Sequence, residues 1–261
     1  MQKLWVPVRI RGGIGIGVVS PKPDLRVALW NVQWARPGSA KGTEVRERLL
    51  SSEADIICMT EGFSGLLPEG GHRTLSEPDF GYPTRDDRRK VLLWSLWPWE
   101  RVDSVGLPEL PSGRFVRGQV STPVGDLTVI GVCVPWRLAH VSTGRRDRRP
   151  WQDHESYLTG LERILSREPA NRNLLVVGDF NQRFTAPRPP AGIHAQLLST
   201  LKTLSVCTKG PIIGVDGPSI DHVAHSAGLF PLAVSGWNAT GRTGRDLSDH
   251  FGLSVDFIVS R

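Results

Sequence analysis

The sequence predicts an α/β fold with much of its sheet antiparallel, on three observations. Apolar, β-rich runs recur along the whole chain, among them Leu25–Trp30, Asp55–Thr60, Asn173–Gly178 and Phe251–Val259. Four further runs, Val91–Trp94, Arg101–Leu107, Gly113–Ser121 and Asp126–Val134, follow one another with only Pro and Gly turns between them. Strands joined without helices pair antiparallel. Three other segments carry apolar residues at helical spacing or are bounded like helices.

The elements are expected in this order. Leu25–Trp30 alternates and runs into Asn31-Val32-Gln33-Trp34. Thr43 is the expected N-cap of a helix reaching Glu53, with Val45, Leu49 and Leu50 on one face. Asp55–Thr60 reads as a buried strand ending at Glu61. After the four antiparallel runs, Pro150 opens a helix with Trp151, His154, Leu158, Leu161 and Leu165 at three- and four-residue steps. Asn173–Gly178 delivers Asp179-Phe180-Asn181. A helix follows near Gly192–Thr203, then strands at Ser219–Ala224, Leu229–Ser235 and Phe251–Val259.

The 261 residues suffice for one large or two small domains, and no composition shift marks a boundary. One domain over residues 23–261 is expected, with residues 1–22 as an N-terminal extension or edge strand. The Gly12–Gly17 stretch does not form GxGxxG ahead of a helix, which argues against a dinucleotide loop. No segment is long and apolar enough for a signal core or a bilayer span, so no membrane role is expected. Three cysteines, Cys58, Cys133 and Cys207, make neither a CxxC nor an even set. A disulfide framework or zinc site is therefore not expected, and a reducing, cytoplasmic setting is.

Lys plus Arg outnumber Asp plus Glu by 32 to 26, a formal charge of +6. A basic balance favours anionic partners, nucleic acid included. The runs Arg85–Lys90 and Arg145–Arg149 interleave Asp, so each reads equally as a solvated charged loop. Trp94, Trp97 and Trp99 could stack bases, with packing the plainer account.

Polar residues mark the strand ends. Asn31, Glu61, Asp179 with Asn181, and Asp221-His222 each follow an apolar run, and Ser248-Asp249-His250 precedes the last one. Singly, each is an ordinary cap, turn or surface residue. Together, at one rim of a sheet, they suit metal-assisted hydrolysis. Mg²⁺ needs only one or two carboxylates and helps make or orient a nucleophilic water. A second carboxylate can take the proton, and an Asp-bound His can donate to a phosphate as charge builds.

At these residues the chain resembles the endonuclease/exonuclease/phosphatase family, from about Leu25 to the C-terminus. Gly178-Asp179-Phe180-Asn181 and Leu247-Ser248-Asp249-His250 carry the resemblance, supported by Ile220-Asp221-His222-Val223, Trp30-Asn31 and Thr60-Glu61. The resemblance implies a four-layered α/β sandwich, two mainly antiparallel sheets face to face with helices outside. It implies Mg²⁺, or alternatively Mn²⁺, held mainly by Glu61 with Asn31 and Asp249 assisting. Asp179 would orient or deprotonate the water, and Asn181 would bind phosphate or position that water. His250, held by Asp221, would stabilise the transition state or act as the general base.

Two departures stand out. Cys133 occupies a place where many members carry His or Tyr, so Arg137, His140 or His154 would have to supply a substrate contact there if any residue does. Gln33 replaces an acidic residue found in some abasic-site endonucleases. His154 sits on the apolar face of its helix and is read first as a structural histidine. The implied activity is phosphodiester hydrolysis by an endonuclease or exonuclease. The alternatives are a phosphatase or phospholipase-like esterase on a small or lipid phosphate, and a catalytically inactive nucleic-acid-binding protein. Specificity loops are expected at Phe63–Lys90 and Ala139–Arg149. Oligomeric state is left open.

Overall fold

The computed structural model describes residues 22–83, 87–170, 172–185 and 188–260, together with the backbone of residues 6–10 and 13–17. β1 (Val6–Ile10) and β2 (Gly13–Gly17) pair antiparallel with each other as a separate two-stranded sheet, so this stretch is not an edge strand of either large sheet.

β3 (Leu25–Asn31) leads through a loop to α1 (Ala40–Ser51). Ser39, not Thr43, caps α1: its hydroxyl accepts from Gly42 N at 3.0 Å. β4 (Ile56–Phe63) carries Glu61 inside the strand, two residues before its end, where the sequence reading places the strand's end at Glu61 itself. A 3₁₀ turn (Ser64–Leu66) and β5 (His72–Leu75) follow, inside the segment expected to be loop. β5 is a four-residue edge strand between Gly and Pro, too short to alternate legibly. Then come β6 (Arg88–Ser95), β7 (Glu100–Asp103), β8 (Phe115–Thr122), β9 (Gly125–Cys133), α2 (Gln152–Leu165) and β10 (Asn173–Asp179). The chain closes with α3 (Ala191–Thr200), β11 (Ser205–Val206), β12 (Asp221–His225), β13 (Leu229–Trp237) and β14 (Gly252–Val259).

Two six-stranded sheets form, in the orders β13-β14-β3-β4-β6-β5 and β11-β12-β10-β9-β8-β7. Within these sheets the β3·β4 and β9·β10 pairs are parallel, and the others antiparallel. Strand side chains alternate between faces. Leu25, Val27 and Leu29 therefore meet Val129, Leu175 and Val177 of the other sheet in a fully buried inter-sheet core. Ala28 and Trp30, on the opposite face of β3, pack beneath Val45 and Leu49 of α1. Ile130, Val132 and Val176 pack outward on Tyr157, Leu158 and Leu161 of α2 and Leu197 of α3. This is the expected four-layered α/β sandwich. Burial on both faces explains why the central strands read as continuous apolar runs.

Trp94, Trp97 and Trp99 are packing residues: Trp94 lies under α1, and the other two pack on the inter-sheet core. All three cysteines are free. Among the described residues no helix is long and apolar enough to cross a membrane.

Candidate active site

Strand register builds the site. In one sheet Asp179 of β10 stands opposite Asp221 of β12 and beside Cys133 of β9, making a row Cys133–Asp179–Asp221. In the other sheet Asn31 of β3 pairs with Thr60 of β4. Thr60 pairs with Val91 and Gly62 with Arg89, which sets Glu61 opposite Lys90. The two rows close on each other at one end of the sandwich.

Gly178 is needed just before this row. A Cβ there would lie 1.9 Å from the Val132 carbonyl oxygen, so only glycine lets β10 lie this close to β9 and present Asp179. Asn181 and Glu61 adopt φ of +52° and +51°, and neighbouring Gln33 and Trp34 also have positive φ. Such conformations cost about 1–3 kcal/mol each for larger residues and gather where geometry serves a site.

Asp179 is buried and accepts three hydrogen bonds. Asn31 Nδ2 and Asn181 Nδ2 donate to Oδ2 at 3.1 and 3.0 Å, and Asn181 N donates to Oδ1 at 2.8 Å. Asn181 Nδ2 also donates to the Val134 carbonyl at 2.9 Å. Burial first, and then the Asp221 carboxylate, push the Asp179 carboxyl upward, against the pull of His250 and of the Asn181 backbone donor. His250 Nδ1 meets Asp221 Oδ2 at 2.5 Å. Burial draws the imidazole down, but the charge and hydrogen bond of Asp221 outweigh it, so the ring is held protonated. The remaining Asp221 oxygen is buried without a partner.

The 247–250 segment is tied to β3. Ser248 Oγ donates to the Asn31 carbonyl at 2.6 Å, and Trp30 Nε1 donates to the His250 carbonyl at 2.8 Å. Ligand-type atoms of Asp179, Asp221 and His250 all lie within 4.8 Å of one another. An imidazolium carrying protons on both nitrogens has no lone pair to offer a metal, so this trio reads as an acid–base cluster. Asp249 is exposed, with an oxygen 3.8 Å from His250 Nε2.

Glu61 Oε1 accepts from Lys90 Nζ at 2.5 Å. The Lys90 ammonium also lies over the rings of Trp34 and Phe80, 5.1 and 5.4 Å from their centroids. Glu61 Oε2 has no partner among the described residues. Together with Asn31 Oδ1, which accepts from Gln33 N at 3.0 Å, it offers an all-oxygen donor set. That chemistry fits a hard divalent cation.

Of the three residues expected to supply a substrate contact in place of Cys133, the two histidines are engaged by protein partners. Arg137 is exposed beside Trp136. His140 is buried, with Nδ1 2.5 Å from Asp153 Oδ2 and its ring on Tyr82. His154 is fully buried between the Pro135 carbonyl at 2.7 Å and Gln182 Nε2 at 2.5 Å, and burial lowers it to about 4. Its ring is therefore neutral with both nitrogens engaged, which leaves no donor for a phosphate. The cation beside Cys133 is Arg114, with Nη1 4.0 Å from a thiol that burial pushes up to about 12.

Sequence reading passed over Arg114 and Lys90. A lone Arg after Pro-Ser-Gly carries no signal, and Lys90 was part of a basic run. His222 is structural: Nε2 donates to the Gln182 carbonyl at 3.0 Å and Nδ1 meets Thr208 Oγ1 at 3.0 Å. Within the Arg145–Arg149 run, Arg148 meets Asp153 at 2.7 Å and Arg149 meets Glu155 at 3.6 Å.

The fold recurs in many solved structures. The catalytic domain of human Nocturnin is 18% identical, with a TM-score of 0.67 over 93% of this chain and 97% of that one. An AP endonuclease from Archaeoglobus fulgidus is 19% identical, with a TM-score of 0.66 over 90% and 100%. Sphingomyelinase C from Streptomyces griseocarneus is 15% identical, with a TM-score of 0.58 over 90% and 99%. At these identities the likeness is one of fold. No curated protein matches the chain. Residues 28–250, most of the chain, match the endonuclease/exonuclease/phosphatase family, and the chain belongs to that family.

Proposed function

We propose that this protein is a divalent-metal-dependent phosphodiesterase, and within that class a nuclease, hydrolysing its substrate by attack of water. The observation that carries the reading is the convergence of Asp179, Asp221 and His250 within 4.8 Å of one another, with the charge of the Glu61 carboxylate felt at Asp179. A fold shared with proteins of different named substrates does not choose among them. The +6 charge favours a polyanion over a small or lipid phosphate ester, the alternative substrate class. With all three cysteines free, a reducing, cytoplasmic setting belongs to the same reading.

Glu61, through Oε2, and Asn31, through Oδ1, would hold the cation, with Asp249 assisting from the exposed side. Mg²⁺, or Mn²⁺ in its place, would neutralise charge on the phosphoryl oxygens and acidify a water. Asp179 Oδ takes the proton from the attacking water. Its raised proton affinity makes it a better base than an exposed aspartate. Asn31 and Asn181 hold that carboxylate in one rotamer, and Asn181 borders the phosphate. His250, protonated and fixed by Asp221 at Nδ1, turns Nε2–H toward the phosphoryl oxygen as charge builds. Arg114 stands where Cys133 offers no donor, and its guanidinium supplies a fixed positive charge.

Incubation of the purified chain with supercoiled, single-stranded and abasic DNA, RNA and simple phosphomonoesters, with Mg²⁺ and then EDTA, tests the reading. EDTA-sensitive cleavage of a phosphodiester is expected. Salt-dependent DNA binding with no cleavage of any substrate would instead make the chain an inactive binding protein.

A further inference from the structure

Beside Asn181 the surface opens into a cavity of about 670 Å³. Two tryptophans, Trp136 and Trp151, and three arginines, Arg137, Arg183 and Arg188, are among the residues that line it. Asn181 belongs both to its wall and to the Asp179 cluster.

The wall is built rather than incidental. Trp151 has φ of +71°, a conformation rare for a bulky residue. It is held there by its N–H donating to the Arg137 carbonyl at 2.7 Å, and it starts α2 by accepting from Glu155 N at 2.9 Å. Its ring meets the His154 ring edge-on, centroids 5.1 Å apart. His154 is in turn clamped between Pro135 and Gln182, and Gln182 lines the cavity. Trp136, 42% exposed, leaves a large aromatic face in water beside this rigid frame.

Among the described residues these three arginine charges have no carboxylate partner. Arg26, Arg117 and Arg148 each close on a carboxylate at 2.6–2.7 Å. Among the described residues, Arg137, Arg183 and Arg188 close on none within 4.0 Å. Three such arginines and two tryptophans around one cavity call for a ligand that is both aromatic and anionic, and whose phosphate is not the one being cleaved.

We propose that this cavity receives the unpaired nucleotide next to the scissile phosphate of a single-stranded nucleic acid. The base lies against Trp136 and Trp151, and its phosphate lies among Arg137, Arg183 and Arg188. A base inside a duplex is stacked on its neighbours and cannot enter such a cavity without being extruded. The assignment rests on the phosphodiesterase reading for where the cut falls, but binding can be read apart from cleavage.

The test uses the Mg²⁺-loaded full chain and labelled, cleavage-resistant phosphorothioate strands of equal length, one of thymidines and one with tetrahydrofuran in place of every nucleoside. Fluorescence anisotropy should show the base-bearing strand binding about tenfold tighter. Trp136→Ala should bring the two strands to parity, and Arg137→Gln should weaken both alike. A parent with no preference for bases, or a preference that survives Trp136→Ala, overturns the assignment. Bis(p-nitrophenyl) phosphate, which has no base, reports the hydrolytic centre separately. Its failure to turn over would overturn the phosphodiesterase reading, whereas loss of base preference would overturn the cavity's assignment alone.

Discussion

Arg114 Nη1 stands 4.0 Å from Cys133 Sγ, a guanidinium 2% exposed beside a thiol that burial keeps protonated. Among the described residues Arg114 has no carboxylate within 4.0 Å, and its Nε is buried without a partner. A buried, uncompensated charge costs several kcal/mol. Arg114→Met should therefore raise the Tm, by about 3 °C or more. The same change should weaken inhibition by inorganic phosphate and raise KM at least about tenfold. A lower Tm with unchanged KM would make Arg114 a purely structural residue.

Asp221 is what keeps His250 protonated, since burial alone pulls the imidazole the other way. Asp221→Asn should lower turnover at neutral pH by about 10²-fold. Without the carboxylate, His250 loses its proton at lower pH. The alkaline limb of the pH–rate profile should move toward acid, and activity should partly return as pH falls. An alkaline limb at the parent's position would separate His250 from that limb.

Asp179→Asn should remove about 10²–10⁴-fold of turnover. Because burial and Asp221 make ionised Asp179 unfavourable in the folded state, the amide should not cost stability. The metal-free Tm should stay within about 3 °C of the parent or rise. Turnover close to the parent's would overturn the role given to this residue.

His154 and His222 are both lowered to about 4, chiefly by burial. In the unfolded chain each titrates near 6.5. Below that value the unfolded chain takes up protons that the folded chain refuses, so each contributes a loss of stability as pH falls from about 6.5 toward about 4. Asp179, raised in the folded state, pulls the opposite way over part of this range, so the comparison between parent and variant is the clean readout. Between pH 6 and 5, His154→Gln should differ from the parent in its slope of unfolding free energy by about one proton, measured by urea titration. Equal slopes would contradict the neutral, doubly engaged ring.

Periodicity and turn chemistry made the layers legible, because strands buried on both faces must be apolar throughout. The motif residues were legible because each ends or interrupts such a run: Asn31, Glu61, Asp179, Asp221 and His250. β5 was not, being a four-residue edge strand with one buried side chain. Nor was the α1 cap, since Ser39 and Thr43 are both competent caps and the helix starts four residues earlier than Thr43 would start it. Arg114 and Lys90 were invisible for another reason. Their importance lies in register and in the lack of a partner, and both are properties of two strands at once. His154 shows the converse: a polar residue on an apolar helix face that sequence leaves open, and that Pro135 and Gln182 occupy completely.

The most direct measurement is the Mg²⁺ dependence of phosphodiester turnover in the parent and in Glu61→Gln. Metal held at the Glu61 carboxylate predicts no turnover in EDTA and full recovery with Mg²⁺. It also predicts a half-saturating Mg²⁺ concentration at least about tenfold higher in the variant. Turnover that persists in EDTA, or an identical Mg²⁺ titration in both proteins, would contradict it.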